Sequence, residues 1–332
     1  MAAVDVLVVS LGSTTGLRAA DDELSGALRR AGAQVAVVSA RPPRGVRTLA
    51  LTDLVWAREA RVAAQRGIAE HLARAIVYCT VTAALLWPRP GAIRYDAPAA
   101  GNRPGRHGVW QRPLERRRLR EATLLVPQAA GTLAESSTPR AEAVIVPIAV
   151  EPSGPALPDA QRDVAAVTYA ANPHKKGLDR VLAAWAAARR DGEELVVTGT
   201  DRVPAAPGVR AAGALSPQAY RRLLRRARVY VTAPRREDYG VAQLEALADG
   251  CRLVTTAAPG PYAALPIARG LDPRLVGDDL AHALRTALDE PAPGYAQRAL
   301  DALAPYRRAT VDATVRDELL PRLLSERACA AP

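Results

Sequence analysis

Short apolar runs alternate with stretches of helical periodicity along most of the chain, the pattern of βαβ units wound on parallel sheets. Residues 4–10 read as a first buried strand, and residues 11–20 (LGSTTGLRAA) as a Gly- and hydroxyl-rich loop. A helix is predicted over 21–31, with Leu24, Ala27, Leu28 and Ala31 on one face and Gly32 closing it. Further strands fall at 34–39, 76–79, 92–95 and 123–127. Four prolines within residues 144–158 (VIVPIAVEPSGPALP) then break the rhythm and mark a domain junction. A second alternating series follows, with strands at 164–170, 194–199, 209–212, 229–232 and 252–255 and helices at 177–190, 217–227 and 241–249. The expected fold class is therefore α/β, with two Rossmann-like, doubly wound domains facing across a cleft at the carboxyl ends of their strands.

Composition adjusts this picture in three places. With 332 residues, 49% hydrophobic and 24% charged, the chain suits two ordinary domains and not a disordered segment. The formal charge of +11 is built almost entirely from arginine, lysine occurring only at Lys175 and Lys176. Alongside heavy Ala, Pro and Gly usage and no Phe, this looks like coding bias, and nucleic acid is not an expected partner. Cys79, Cys251 and Cys329 lack metal-ligand spacing and are odd in number, which fits a reduced cytoplasm. Residues 4–11 have no basic stretch before them and contain Asp5, unlike a signal peptide. The apolar run 76–87 is too short to span a bilayer, so a protein not integral to a membrane is expected.

The strongest chemical signal is the run from Glu237 to Gly250 (EDYGVAQLEALADG), which follows an apolar strand and opens a helix. Gly240 lets the backbone approach a ligand, and the free amides of the first helical turn suit a diphosphate. Glu237 in the loop and Glu245 in the second turn can accept several hydroxyl protons from a sugar or ribose. A second signal, Ala171 to Asp179 (ANPHKKGLD), lies between a strand and a helix and holds both lysines, compact charges that phosphate accepts well.

Together these segments resemble retaining GT-B glycosyltransferases of family four, the group 1 glycosyl transferases, which carry an E-x7-E motif with Gly three residues after the first Glu. The resemblance implies that Glu237, Asp238, Tyr239, Gly240 and Val241 hold the transferred sugar and the diphosphate. It implies further that Glu245 holds the ribose and that Lys176 neutralises the leaving diphosphate. Where such enzymes carry an Arg before that Lys, this chain has Ala171, with Asn172, His174 or Lys175 as substitutes. Residues 195–199 and 211–216 match the next two family segments, which places the nucleobase near Gly213, Ala214 and Leu215. Residues 12–16 (GSTTG) resemble the family's glycine loop, so Gly12 and Ser13 would face the diphosphate; no GK[ST] follows, which disfavours ATP chemistry. Asp96 stands where relatives place a polar group toward the donor sugar, with His71, within a helical stretch, and His107 as further candidates. Domains of 1–147 (acceptor side), 148–294 (donor side) and a helical tail over 295–332 that packs back on the first domain follow from the same likeness.

The function implied is transfer of a sugar, a hexose by expectation, from a nucleotide-diphosphate donor to an acceptor hydroxyl on a glycan, lipid or small molecule, with retention. No cofactor is expected, and no metal, since no DxD motif is present. Residues 103–120 (RPGRHGVWQRPLERRRLR), from Arg103 to Arg120, concentrate arginines around Trp110. They read either as a solvated helix face or as a patch for peripheral contact with anionic lipid at the inner membrane face or with an anionic acceptor. Open alternatives are a nucleotide-sugar epimerase or phosphorylase on the same fold, and a non-catalytic sugar-nucleotide-binding or membrane-surface protein.

Overall fold

Val6, Leu7, Val8 and Val9 are all fully buried, so β1 (Ala2–Ser10) is covered on both faces, as a strand in a helix-flanked parallel sheet must be. The computed structural model describes residues 2–43, 48–136 and 142–325, which leaves Cys329 outside the described residues. The chain divides into two compact units, Met1–Ala149 with Arg308–Pro332, and Val150–Arg307.

In the first unit β1, β2 (Val35–Ser39), β3 (His71–Tyr78), β4 (Ala92–Tyr95) and β5 (Leu125–Pro127) form a parallel sheet in the order β2-β1-β3-β4-β5. Around it lie α1 (Thr15–Arg30), α2 (Leu49–Glu70), α3 (Val81–Ala84), α4 (Ala99–Asn102), α5 (Gln111–Glu121) and α6 (Ala130–Glu135). One face of the sheet packs Leu7, Val9 and Ile76 against the alanines of α2 (Ala57, Ala60, Ala63 and Ala64). The other packs Val6, Val8 and Val77 against Leu24 and Leu28 of α1, and against Val311, Val315 and Leu319 from the end of the chain.

Two local expectations are corrected here. The helix predicted from residue 21 begins at Thr15, because Thr14 caps it by accepting the Leu17 amide at 3.2 Å. Residues 15–20 of the predicted loop 11–20 are therefore the start of α1. His71 does not lie in a helix: it opens β3, whose first residues pair with Ala2–Val4. The exposed, weakly apolar start of that strand hides it from periodicity.

In the second unit β6 (Val164–Tyr169), β7 (Leu195–Thr198), β8 (Val209–Gly213), β9 (Ala227–Thr232) and β10 (Arg252–Thr255) form another parallel sheet, ordered β10-β9-β6-β7-β8. Its helices are α7 (Leu178–Ala188), α8 (Pro217–Arg226), α9 (Val241–Ala248), α10 (Ala264–Leu271), α11 (Leu280–Asp289) and α12 (Tyr295–Ala302). α8 starts where Ser216 accepts the Ala219 amide and Pro217 takes the first helical position. The strand order reverses between β6 and β9, so the loops at their carboxyl ends flank the crevice in which such sheets bind ligands. Among the described residues, no helix is long and apolar enough to cross a membrane.

Candidate functional site

The loop after β6 (residues 170–177) and the loop after β9 (residues 233–240) are laced together. Gly177, at φ +64°, caps α7, and a Cβ there would stand 1.9 Å from the Ala233 carbonyl oxygen. Only glycine allows the two backbones to touch this way. The Arg235 amide donates to the Lys175 carbonyl at 3.0 Å, while its guanidinium grips Asp179 through two bonds of 3.0 and 2.8 Å.

Both lysines then cross from one loop to the acids of the other. Lys176 Nζ reaches Glu237 Oε2 at 2.6 Å, and Lys175 Nζ reaches Asp238 Oδ2 at 2.6 Å. Glu237 and Asp238 are buried, and each has a second donor. Gln243 Nε2 donates to Glu237 at 2.9 Å, and Arg236 Nε donates to Asp238 at 2.8 Å. The Glu237 amide is tied to the Pro259 carbonyl at 3.0 Å, which fixes the loop. Asn172 turns inward on its own loop, its Oδ1 accepting the Lys175 amide at 2.9 Å, so it shapes the lysine turn.

Gly240, at φ +92°, caps α9 with no side chain over the first turn, and a Cβ there would meet the Tyr262 ring at 3.0 Å. The amides that follow, beginning at Val241, form a helix start suited to an anion. Tyr239 is buried, and its carbonyl accepts the Ala263 amide at 2.9 Å. One turn further, Glu245 lies 3.6 Å from Arg221 of α8, which also donates to the buried Asp249 at 2.6 Å. Burial pushes the Glu245 carboxyl above its usual range, while the Arg221 guanidinium opposes the rise.

The other predicted residues fall on further loops. Gly213, at φ +61°, ends β8 at the sheet edge, where a Cβ would meet Asp201 Oδ1 at 2.3 Å; Ala214 and Leu215 lead from it to the Ser216 cap. The Gly213 carbonyl accepts the Gly199 amide at 2.7 Å, and a Cβ on Gly199 would stand 2.8 Å from the Ala171 amide nitrogen, so this loop adjoins the start of the lysine loop. In the first unit Gly12, at φ +59°, accepts from Arg18 Nη1 at 2.7 Å, with Ser13 beside it after β1. Asp96 follows β4 and accepts the Ala97 amide at 2.9 Å. His71, at the amino end of the central strand β3, stands at the opposite end of the strands from these loops. The side chain of His107 lies outside the described residues.

Part of the 103–120 stretch is structural. Arg103 makes a two-bond pair with buried Asp53 at 2.7 and 3.0 Å, and Arg118 stacks 5.2 Å from the Trp87 ring. Glu115 is buried with both oxygens on the Ala99 amide, at 2.8 and 2.9 Å, and burial pushes it up to about 7. Gln243, Arg221 and Arg236 were not singled out from sequence. Each is one polar residue among many, with no spacing to mark it.

Residues 162–290, most of the second unit, match the family described as Glycosyl transferases group 1. The match gives the second unit the signature of that family, and the two five-stranded parallel sheets are those of a GT-B-like fold. Comparison with curated proteins finds no match. Among solved structures, the chain resembles sucrose-phosphate synthase (tll1590) from Thermosynechococcus elongatus at 15% identity and TM-score 0.65, over 99% of this chain and 96% of that one. It also resembles Alr3699/HepE from Anabaena, in complex with UDP and glucose, at 13% identity and TM-score 0.68, over 95% and 99%. A third is WaaG, a glycosyltransferase involved in lipopolysaccharide biosynthesis, at 14% identity and TM-score 0.62, over 98% of each chain. At such identities these likenesses bear on the fold.

Proposed function

We propose that the protein moves a hexosyl group from a nucleoside-diphosphate sugar to an acceptor hydroxyl with retention of configuration. The observation that carries this reading is the Lys176–Glu237 pair at the mouth of α9, where a cation, a hydroxyl-accepting carboxylate and free helix amides converge. On donor binding, the diphosphate takes the place of Glu237 and Asp238 as partner of Lys176 and Lys175, with the amides from Val241 onward completing its cradle. Glu237, released, accepts from the sugar hydroxyls, and Glu245 accepts from the ribose. The base rests by Gly213, Ala214 and Leu215.

In transfer, the bond from the anomeric carbon to the diphosphate oxygen breaks as the acceptor oxygen bonds on the same face, and the acceptor's proton passes to the departing diphosphate. The lysines and the helix end stabilise the charge that develops there. Residues 148–294 act as the donor side and 1–147 as the acceptor side, with the end of the chain supporting the latter. Val109 is 66% exposed beside the arginines of 103–120, which favours an acceptor presented at an anionic lipid surface. That HepE was captured with UDP and glucose supports the hexosyl reading by likeness alone.

A thermal-shift screen with UDP, GDP, TDP and ADP and their sugar conjugates tests the proposal. Stabilisation by one nucleotide family, lost in Lys176→Ala and Glu245→Ala, is expected. No stabilisation by any of them would leave a surface-binding, non-catalytic role as the better reading.

A further inference from the structure

At the amino ends of β6 and β10, the end of the strands opposite the lysine loops, a groove of about 320 Å³ runs between Asp159, Arg162, Arg252 and the start of α12. It contains two buried guanidinium groups. Arg162, 1% exposed at its side chain, spends its nitrogens on the carbonyls of Leu157, Ala227 and Asp249 at 3.0, 2.7 and 3.0 Å. Arg252 is 8% exposed, and its Nη2 donates to the Asp159 carboxylate. Its Nε and Nη1 have no acceptor among the described residues. Donors of a buried cation left unmet are costly, so an acceptor that reaches them is favoured.

Asp159 is the sole carboxylate lining this groove among the described residues. It bonds Arg252, stands 3.9 Å from Arg162, and is itself 48% exposed on a short 3-10 turn (Asp159–Gln161). Two buried positive charges thus share one half-exposed negative charge. The opposite wall adds a further attraction for anions. Gly294, at φ +66°, caps α12 without a side chain, and the Ala296 and Gln297 amides of its first turn have no acceptor among the described residues.

We propose that this groove is a second anion site, distinct from the donor loops, which takes a phosphate group, either free or as the monoester of a small metabolite. The phosphate bonds Arg252 and the amides of Ala296 and Gln297, and Asp159 swings out to solvent as it enters. A tetrahedral dianion suits the site better than the single carboxylate it displaces, because it meets the guanidinium fork and the helix end at once. The groove has room for a small organic body beside the phosphate.

The test is a titration of inorganic phosphate, then glycerol 3-phosphate, into ¹⁵N-labelled full-length protein at constant ionic strength, read at individual amides. Saturable movement of the Ala296 and Gln297 resonances is expected. Gly177 and Val241 report the donor loops separately. Asp159→Asn, on an exposed turn, is expected to tighten phosphate about tenfold by removing the competing charge. Arg252→Gln, once shown to be folded, is expected to abolish the movement. Tighter binding of the ester assigns a phosphorylated metabolite, and equal binding assigns free phosphate. If neither probe moves those two amides in the wild type or in Asp159→Asn, or if chloride moves them equally, there is no such site.

Discussion

Lys176 and Glu237 stand on opposite sides of the strand-order reversal in the second sheet and meet at 2.6 Å, the acid almost wholly buried and the amine about one-fifth exposed. Glu237 therefore competes with a diphosphate for the same cation. Glu237→Gln is expected to tighten free nucleoside diphosphate by about tenfold, since a like charge beside the phosphate is removed. Transfer in the same variant is expected to fall by roughly 100-fold or more, with the sugar's acceptor lost. Calorimetry on the diphosphate and an assay of transfer separate the two effects. Weaker binding in Glu237→Gln would show that the acid does not face the phosphate.

Glu245 and Arg221 form the second half of the same site. Glu245→Ala is expected to raise donor KM about tenfold or more with the fold intact, as the quarter-exposed side chain supports no core packing. Arg221→Met differs in kind. Among the described residues it leaves Asp249, whose side chain is fully buried, with the Ser153 amide and hydroxyl at 2.7 and 2.9 Å. A loss of roughly 2–4 kcal/mol in chemical denaturation is expected, because a buried charge is left short of a partner. Unchanged stability would mean that Asp249 finds another donor.

Gly177→Ala should be among the most damaging single-methyl changes in the chain. The new Cβ would sit 1.9 Å from the Ala233 oxygen, at a φ of +64° that alanine tolerates poorly. At least about 3 kcal/mol is expected to be lost, seen as a fall of roughly 6–12 °C in Tm. Gly270→Ala within α10 is the control, having open space around the added methyl. Helix propensity makes it neutral or stabilising by up to about 1 kcal/mol. Equal behaviour of the two variants would mean that the loops after β6 and β9 are not in contact.

Glu115 makes a prediction about pH. Burial raises its folded-state value to about 7, above the ordinary 4.5, so the folded protein holds this proton more tightly than the unfolded chain. The stabilisation is complete below pH 4.5 and is lost as pH rises toward 7. On the order of 3 kcal/mol is involved. Glu115→Gln keeps an oxygen for the Ala99 amide and removes the titration. Its stability relative to wild type is expected to rise across that window, which denaturant melts at a series of pH values would show. Parallel curves for the two proteins would rule out a buried, titrating Glu115.

Much of the second unit was legible because its signals are local. The apolar runs of β6, β9 and β10 are buried on both faces and leave uninterrupted hydrophobic stretches. Gly177 and Gly240 mark two strand-to-helix turns, and the acids and lysines lie close to them in sequence. The start of α1 was missed because its cap is one hydroxyl residue in a run of three, Ser13, Thr14 and Thr15, any of which could serve. β3 was shortened because its first residues, His71 to Arg74, pair in a sheet without being apolar. The partners Gln243, Arg221 and Arg236 could not be chosen from sequence at all. What selects them is distance across the fold, and arginine is too common here for residue type to point anywhere.

The two lysines, cross-paired with Glu237 and Asp238, are also the chain's only side-chain amines. An electrophile selective for amines thus has a single address on the folded surface, apart from the α-amino group. A reagent that acylates or reductively alkylates lysine would modify adjacent positions in one loop, and the adduct would be read from one peptide by mass spectrometry. Occupancy of the loop by any ligand, whatever its chemistry, becomes measurable as protection from that modification, with no radiolabel and no engineered handle.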